Sequence, residues 1–140
     1  MATVIKPELS TKNKYWIDKH RYYELKHFCL QYKQWKKAYA TINDVCISAS
    51  NFQDRFPGRN IHVDLTAKYA IMKASYRDKI ELVEDAALNA DENLYSYILA
   101  AVTEGHSYDY LETKMDIPCS RDMYYDRYRK FFWILSESRK

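Results

Sequence analysis

From about Asp18 onward, apolar residues recur every three or four positions. Tyr22, Leu25, Phe28/Cys29, Tyr32, Trp35, Tyr39, Ile42 and Cys46 trace one stripe, which predicts a helical segment over 15–47 with a single buried face. No Pro or Gly interrupts it, so the pattern fits either one long helix or two helices broken near Tyr32–Lys33. Residues 1–14 have no such period and are rich in Lys, Thr, Ser and Asn, the composition of a flexible arm.

The period breaks at SASNFQDRFPGRNIHV, residues 48–63, where Ser, Asn and the Pro57-Gly58 pair predict a loop or linker. Beyond it Leu65, Tyr69, Met72, Tyr76, Ile80, Val83 and Ala87 follow a spacing close to a coiled-coil seam, with Asp64 or Thr66 available as a cap. That stripe has two destinations, packing within the chain or a homodimer through the 64–88 helix. A further helix is expected from Asp91, its acids favoured by the helix dipole and Gly105 placed for a left-handed end. Ser107 and Ser120 then read as N-caps of two more helices, with Pro118 between them. The expected fold is all-α, a helical bundle with long N-terminal and middle helices and a C-terminal helix-turn-helix; residues 64–140 hold the long helix and that terminal unit.

Composition narrows the function. With two glycines, three prolines and periodic segments rich in Ala, Leu, Lys, Glu and Tyr, the chain leaves little room for sheet. Its uncharged apolar runs fall far short of the roughly 20 residues that span a bilayer, and Met1–Asn13 lacks an apolar core, so a soluble cytoplasmic protein without membrane contact is expected. Cys29, Cys46 and Cys119 are odd in number and widely spaced, which predicts reduced, buried thiols and no disulfide framework. His20, His27, His62 and His106 share no metal-ligand spacing with them, and no glycine-rich phosphate loop occurs; an enzyme, a metal site or a bound cofactor is not expected.

Net charge is only +3. Residues 1–40 carry nine Lys/Arg against three Asp/Glu, residues 41–106 six against ten, and residues 107–140 seven against six. The basic excess of the first segment makes Lys14, Lys19 and Arg21 candidate phosphate contacts.

The stretch GHSYDYLETKMDIPCSRDMYYDRYRKFFWIL, residues 105–135, has the layout of two helices around a turn. Leu111 and Met115 supply an apolar pair, Ile117 an apolar turn residue, and Tyr124, Tyr128, Phe131/Phe132 and Leu135 a stripe beneath the second helix. Arg121, Tyr125 and Arg129 then fall on one outward line, with Arg127 and Lys130 beside them. In a helix-turn-helix such a second helix enters the DNA major groove. An arginine early in it reads guanine, and later cations hold phosphates. Asp122 and Asp126 on the same helix support the alternative of a solvated face of local ion pairs.

EGHSYDYLETKMDIP followed by RYRKFFWIL resembles the C-terminal helix-turn-helix of RinA- and ArpU-type phage transcriptional regulators, itself similar to the promoter-reading last domain of bacterial sigma factors. Close matching covers roughly 35 residues, with a looser match of layout over the rest. Glu112 departs from the small residue usual after Leu111, and IPCSRD lengthens the turn by about two residues. The resemblance implies a sequence-specific DNA-binding regulator of phage or prophage genes, acting on double-stranded DNA with host RNA polymerase as a possible partner. On this reading Arg121, Tyr125, Arg127, Arg129 and Lys130 face DNA. The competing expectation is a non-enzymatic protein-binding module, either a phage-encoded inhibitor of a host protein or an oligomer like a small terminase packaging subunit. The Tyr-, Trp- and Arg-rich YWIDKHRYYELKHF segment suits such an interface.

Overall fold

The computed structural model describes residues 13–55 and 63–139, with side chains described for 13–48 and 67–139. Among the described residues six helices follow in chain order: α1 (Lys19–Cys29), α2 (Tyr32–Arg55), α3 (Val63–Ala90), α4 (Tyr95–Glu104), α5 (Tyr108–Met115) and α6 (Arg121–Ser138). No strand occurs among the described residues, so the all-α expectation holds. None of these helices is long and apolar enough to cross a membrane. Residues 1–12 of the expected flexible arm lie outside the described residues; Asn13 and Lys14 form a turn in which the Asn13 Oδ1 accepts from the Tyr15 N–H at 2.8 Å.

Two compact units divide the chain, one built from residues 1–32 and 82–140, the other from 33–81. Within the first, α1 starts where the Asp18 carboxylate accepts the His20 N–H at 2.9 Å. Its 3–4 spacing buries Tyr22, Leu25, Phe28 and Cys29, while α6 buries Tyr124, Tyr125, Phe131, Phe132 and Leu135. Side chains of this size each contribute about 1.5–3 kcal/mol when taken from water. The rings of Tyr22 and Phe132 meet edge-on at 5.1 Å, and the Tyr22 and Tyr128 hydroxyls share a hydrogen bond of 2.7 Å.

The open question of one or two N-terminal helices is resolved by a break at Leu30–Gln31. Neither Pro nor Gly is needed there, because the Gln31 side-chain amide donates to the His27 carbonyl at 3.3 Å and so satisfies a group left over at the end of α1. A mirror arrangement closes α6: Arg21 donates through Nη2 to the carbonyls of Ser136 (3.2 Å) and Arg139, and through Nε to Ser136 Oγ at 3.2 Å.

Three expectations need correction here. The stretch 48–55 is not loop: α2 continues to Arg55, since Ser and Asn weaken a helix without breaking it, while residues 56–62 of the expected linker lie outside the described residues. Likewise α3 already begins at Val63, which places Asp64 and Thr66 inside its first turn. The third is the helix expected from Asp91. Its helix starts only at Tyr95, and Asp91 Oδ1 instead accepts the Asn93 N–H at 2.8 Å and the Leu94 N–H at 3.2 Å ahead of it.

The second unit pairs α2 with most of α3. Lys79 lies over the Trp35 ring at 5.9 Å, and Lys73 lies over Tyr39 at 5.4 Å while donating to Asn43 Oδ1 at 2.7 Å. As residue numbers rise on α2 their partners fall on α3, so the two helices run antiparallel. Trp35, Ile42 and Ile80 are buried, and Val83 and Ala87 continue the α3 stripe into the core of the first unit. Ile80, Val83 and Ala87 of the proposed dimer seam are therefore spent within the chain.

Candidate nucleic-acid interface

The α5–turn–α6 element forms from the residues expected to form it. Ser107 Oγ accepts the Tyr110 N–H at 3.3 Å and Ser120 Oγ accepts the Met123 N–H at 3.2 Å, capping both helices. Gly105 ends α4 at φ +77°. Helix α5 stops at Met115, because Asp116 adopts the left-handed conformation (φ +51°) and its N–H returns to the Leu111 carbonyl; Pro118 follows two residues later. Leu111 and Ile117 are buried and Met115 half-buried, as the apolar pair and turn residue require. Across the turn, the Tyr108 hydroxyl donates to the Cys119 carbonyl at 2.7 Å.

What differs is the outward line. Tyr125 is only 6 % exposed and packs against Tyr108, Tyr124 and Tyr128, so it belongs to the core and not to a DNA-facing row. At 100° per residue, Tyr125 lies close to Tyr128 and Phe132 around α6, and the buried sector is wide enough to include it. Arg121 turns back over α5, stacked at 5.3 Å on the Tyr108 ring and paired with Asp109 at 2.5 Å. Arg127 donates through Nε to Asp91 Oδ2 (3.1 Å) and through Nη1 to Asp126 Oδ2 (2.9 Å), so it fastens α6 to the α3–α4 connection.

Of the five expected DNA-facing positions, Arg129 and Lys130 remain half-exposed and pair with no acid among the described residues. From Tyr108 to Asp126 two cations, Lys114 and Arg121, stand against Asp109, Glu112, Asp116, Asp122 and Asp126. The start of α6 is thus a poor match for phosphate.

Among the candidate phosphate contacts, Arg21 is also corrected. Besides capping α6 it pairs with Glu24 at 2.9 Å, and Glu24 is shared with Arg139 at 2.6 Å. Lys14 and Lys19 are exposed, Lys14 lying 4.9 Å from the centre of the Tyr15 ring.

The fold assembles a basic element that windows along the sequence had split. Residues 33–81 carry nine Lys/Arg against five Asp/Glu, net +4, whereas the other unit carries thirteen against fourteen. Lys33, Lys36 and Lys37 fall on the side of α2 away from Trp35 and Ile42 and are exposed; on α3, Lys68 and Arg77 are exposed. The signal was present as the i, i+3, i+4 spacing of the three lysines opposite the apolar stripe.

Titratable groups of the core are shifted by burial. The phenols of Tyr124 and Tyr128 are pushed up, Tyr128 further by its bond with Tyr22, and burial raises the Cys29 thiol. Cys29 alone is buried as expected; Cys46 and Cys119 are half-buried, and all three are free thiols. No group of three or more His, Cys, Asp or Glu among the described residues could hold a metal ion. Comparison with protein-family models, with curated proteins and with solved structures yields no match.

Proposed function

We propose that this chain is a non-enzymatic DNA-binding regulator of phage or prophage genes, of the kind its 105–135 stretch resembles, and that it holds duplex DNA chiefly through phosphate contacts of the α2–α3 hairpin. The observation that carries this reading is the segregation of charge: a net +4 hairpin with Lys33, Lys36, Lys37, Lys68 and Arg77 exposed. Each phosphate neutralised by a cation releases a counterion, which makes binding steeply dependent on salt. Sequence preference then comes less from bases read at the start of α6, where acids gather, than from DNA shape and deformability.

A second reading is favoured by that acidic surface. Tyr110 and Met123 are exposed among Asp109, Glu112 and Asp122, a combination of apolar contact and charge suited to a protein partner. In a regulator this face meets RNA polymerase; in a protein-binding module it is the whole function.

Fluorescence anisotropy of labelled duplex DNA, titrated with the full chain at two ionic strengths, separates the two. Binding that weakens steeply with salt supports the regulator. Absent or salt-insensitive binding overturns it and leaves the protein-binding module.

A further inference from the structure

Helix α6 carries five aromatic residues into the core or its margin, and one outside it. Trp133 is 36 % exposed, on the side opposite Phe131, Phe132 and Leu135. A single exposed indole needs no explanation. This one has company: the Tyr15 ring meets it at 5.9 Å, tilted by 55°, and the Lys14 ammonium lies 4.9 Å from the centre of the Tyr15 ring. Arg129 and Lys130 precede Trp133 by four and three residues, the spacings that set side chains beside one another on a helix. Neither pairs with an acid among the described residues, while Asp126, the acid one turn earlier, is engaged by Arg127. Glu137 lies one turn beyond Trp133 and has a partner of its own.

We propose that this patch binds single-stranded nucleic acid, with bases stacking on Trp133 and Tyr15 and phosphates held by Lys14, Arg129 and Lys130. Every unpaired base offers a flat face to an aromatic ring, and a cationic margin follows the backbone; the two together make a stacking platform tolerant of sequence. A closed duplex hides its base faces and gains only from the cations. An acidic polypeptide likewise uses the cations and leaves the rings idle. The site lies in the other unit from the basic hairpin and does not rest on the duplex reading.

The test uses the full chain and a labelled oligothymidylate of about 12 nucleotides, a length matched to small single-strand sites. The expected result is salt-dependent binding, weakened roughly tenfold by Trp133→Ala and largely kept by Trp133→Phe. Arg129→Gln with Lys130→Gln lowers affinity and flattens the salt dependence. Circular dichroism of the variants is expected to match the parent, since none of these side chains is buried. Unchanged affinity in Trp133→Ala overturns the proposal, as does equal competition by a duplex of the same length or by polyglutamate. Duplex affinity of Trp133→Ala, measured alongside, is expected to equal the parent's, so loss of one site is read separately from loss of the other.

Discussion

Arg127 Nε stands 3.1 Å from Asp91 Oδ2, and the other oxygen of that carboxylate accepts the N–H groups of Asn93 and Leu94. One acid therefore shapes the approach to α4 and anchors α6 to it. Arg127→Ala leaves Asp91, only 12 % exposed, without its cation and is expected to cost about 1–3 kcal/mol in chemical denaturation. Asp91→Asn, which keeps an acceptor for the two backbone groups, is expected to cost less than Asp91→Ala. Equal stability of Arg127→Ala and parent would show that the pair is idle.

The Tyr22–Tyr128 hydroxyl pair gives a second prediction. Tyr22→Phe strands the Tyr128 hydroxyl in a largely apolar setting, at about 1–2 kcal/mol, and Tyr128→Phe removes the same bond from the other side. The double substitution removes both polar groups and is expected to cost less than the sum of the singles, as a double-mutant cycle measures directly.

Two left-handed residues behave oppositely. Gly105→Ala puts a Cβ at ordinary contact distance (3.8 Å) from Leu30, so its cost is backbone strain, about 1 kcal/mol. Asp116→Gly relieves strain at φ +51° and is expected to be neutral or mildly stabilising in thermal unfolding, whereas Asp116→Val is destabilising.

These positions also show what the sequence made legible. Gly105, Ser107 and Ser120 announced their ends because each solves a local backbone problem, and the apolar stripes of α1, α3 and α6 follow from period alone. Burial of Tyr125 and the engagement of Arg121, Arg127 and Arg21 did not follow, because they depend on which helix lies opposite: Asp109, Asp91 and the end of α6 are 12, 36 and 115 or more residues away in the chain. The basic hairpin was missed for the same reason. Its lysines fall on both sides of residue 40, and only the antiparallel pairing of α2 with α3 brings them into one unit.

Alkaline pH is expected to destabilise the fold. Burial, the neighbouring Glu84 carboxylate and a hydrogen bond to it push the Tyr32 phenol up from its ordinary value near 10 to about 12. The folded chain holds that proton more tightly than the unfolded chain. Its stabilising contribution is full below pH 10 and is lost as pH rises from 10 towards 12. Glu84→Gln is expected to move the tyrosinate absorbance transition of Tyr32 downward, and Tyr32→Phe to flatten the stability loss over that range.

The proposed function places the contacts to DNA on the α2–α3 hairpin and not on the start of α6. The most direct measurement is the slope of log affinity against log salt for duplex DNA, comparing the parent with a Lys33→Gln, Lys36→Gln, Lys37→Gln variant and with Arg121→Gln. Contacts through the hairpin predict a slope shallower by about 2–3 for the hairpin variant and little change for Arg121→Gln. An unchanged slope in the hairpin variant, with the loss appearing in Arg121→Gln instead, would contradict this placement.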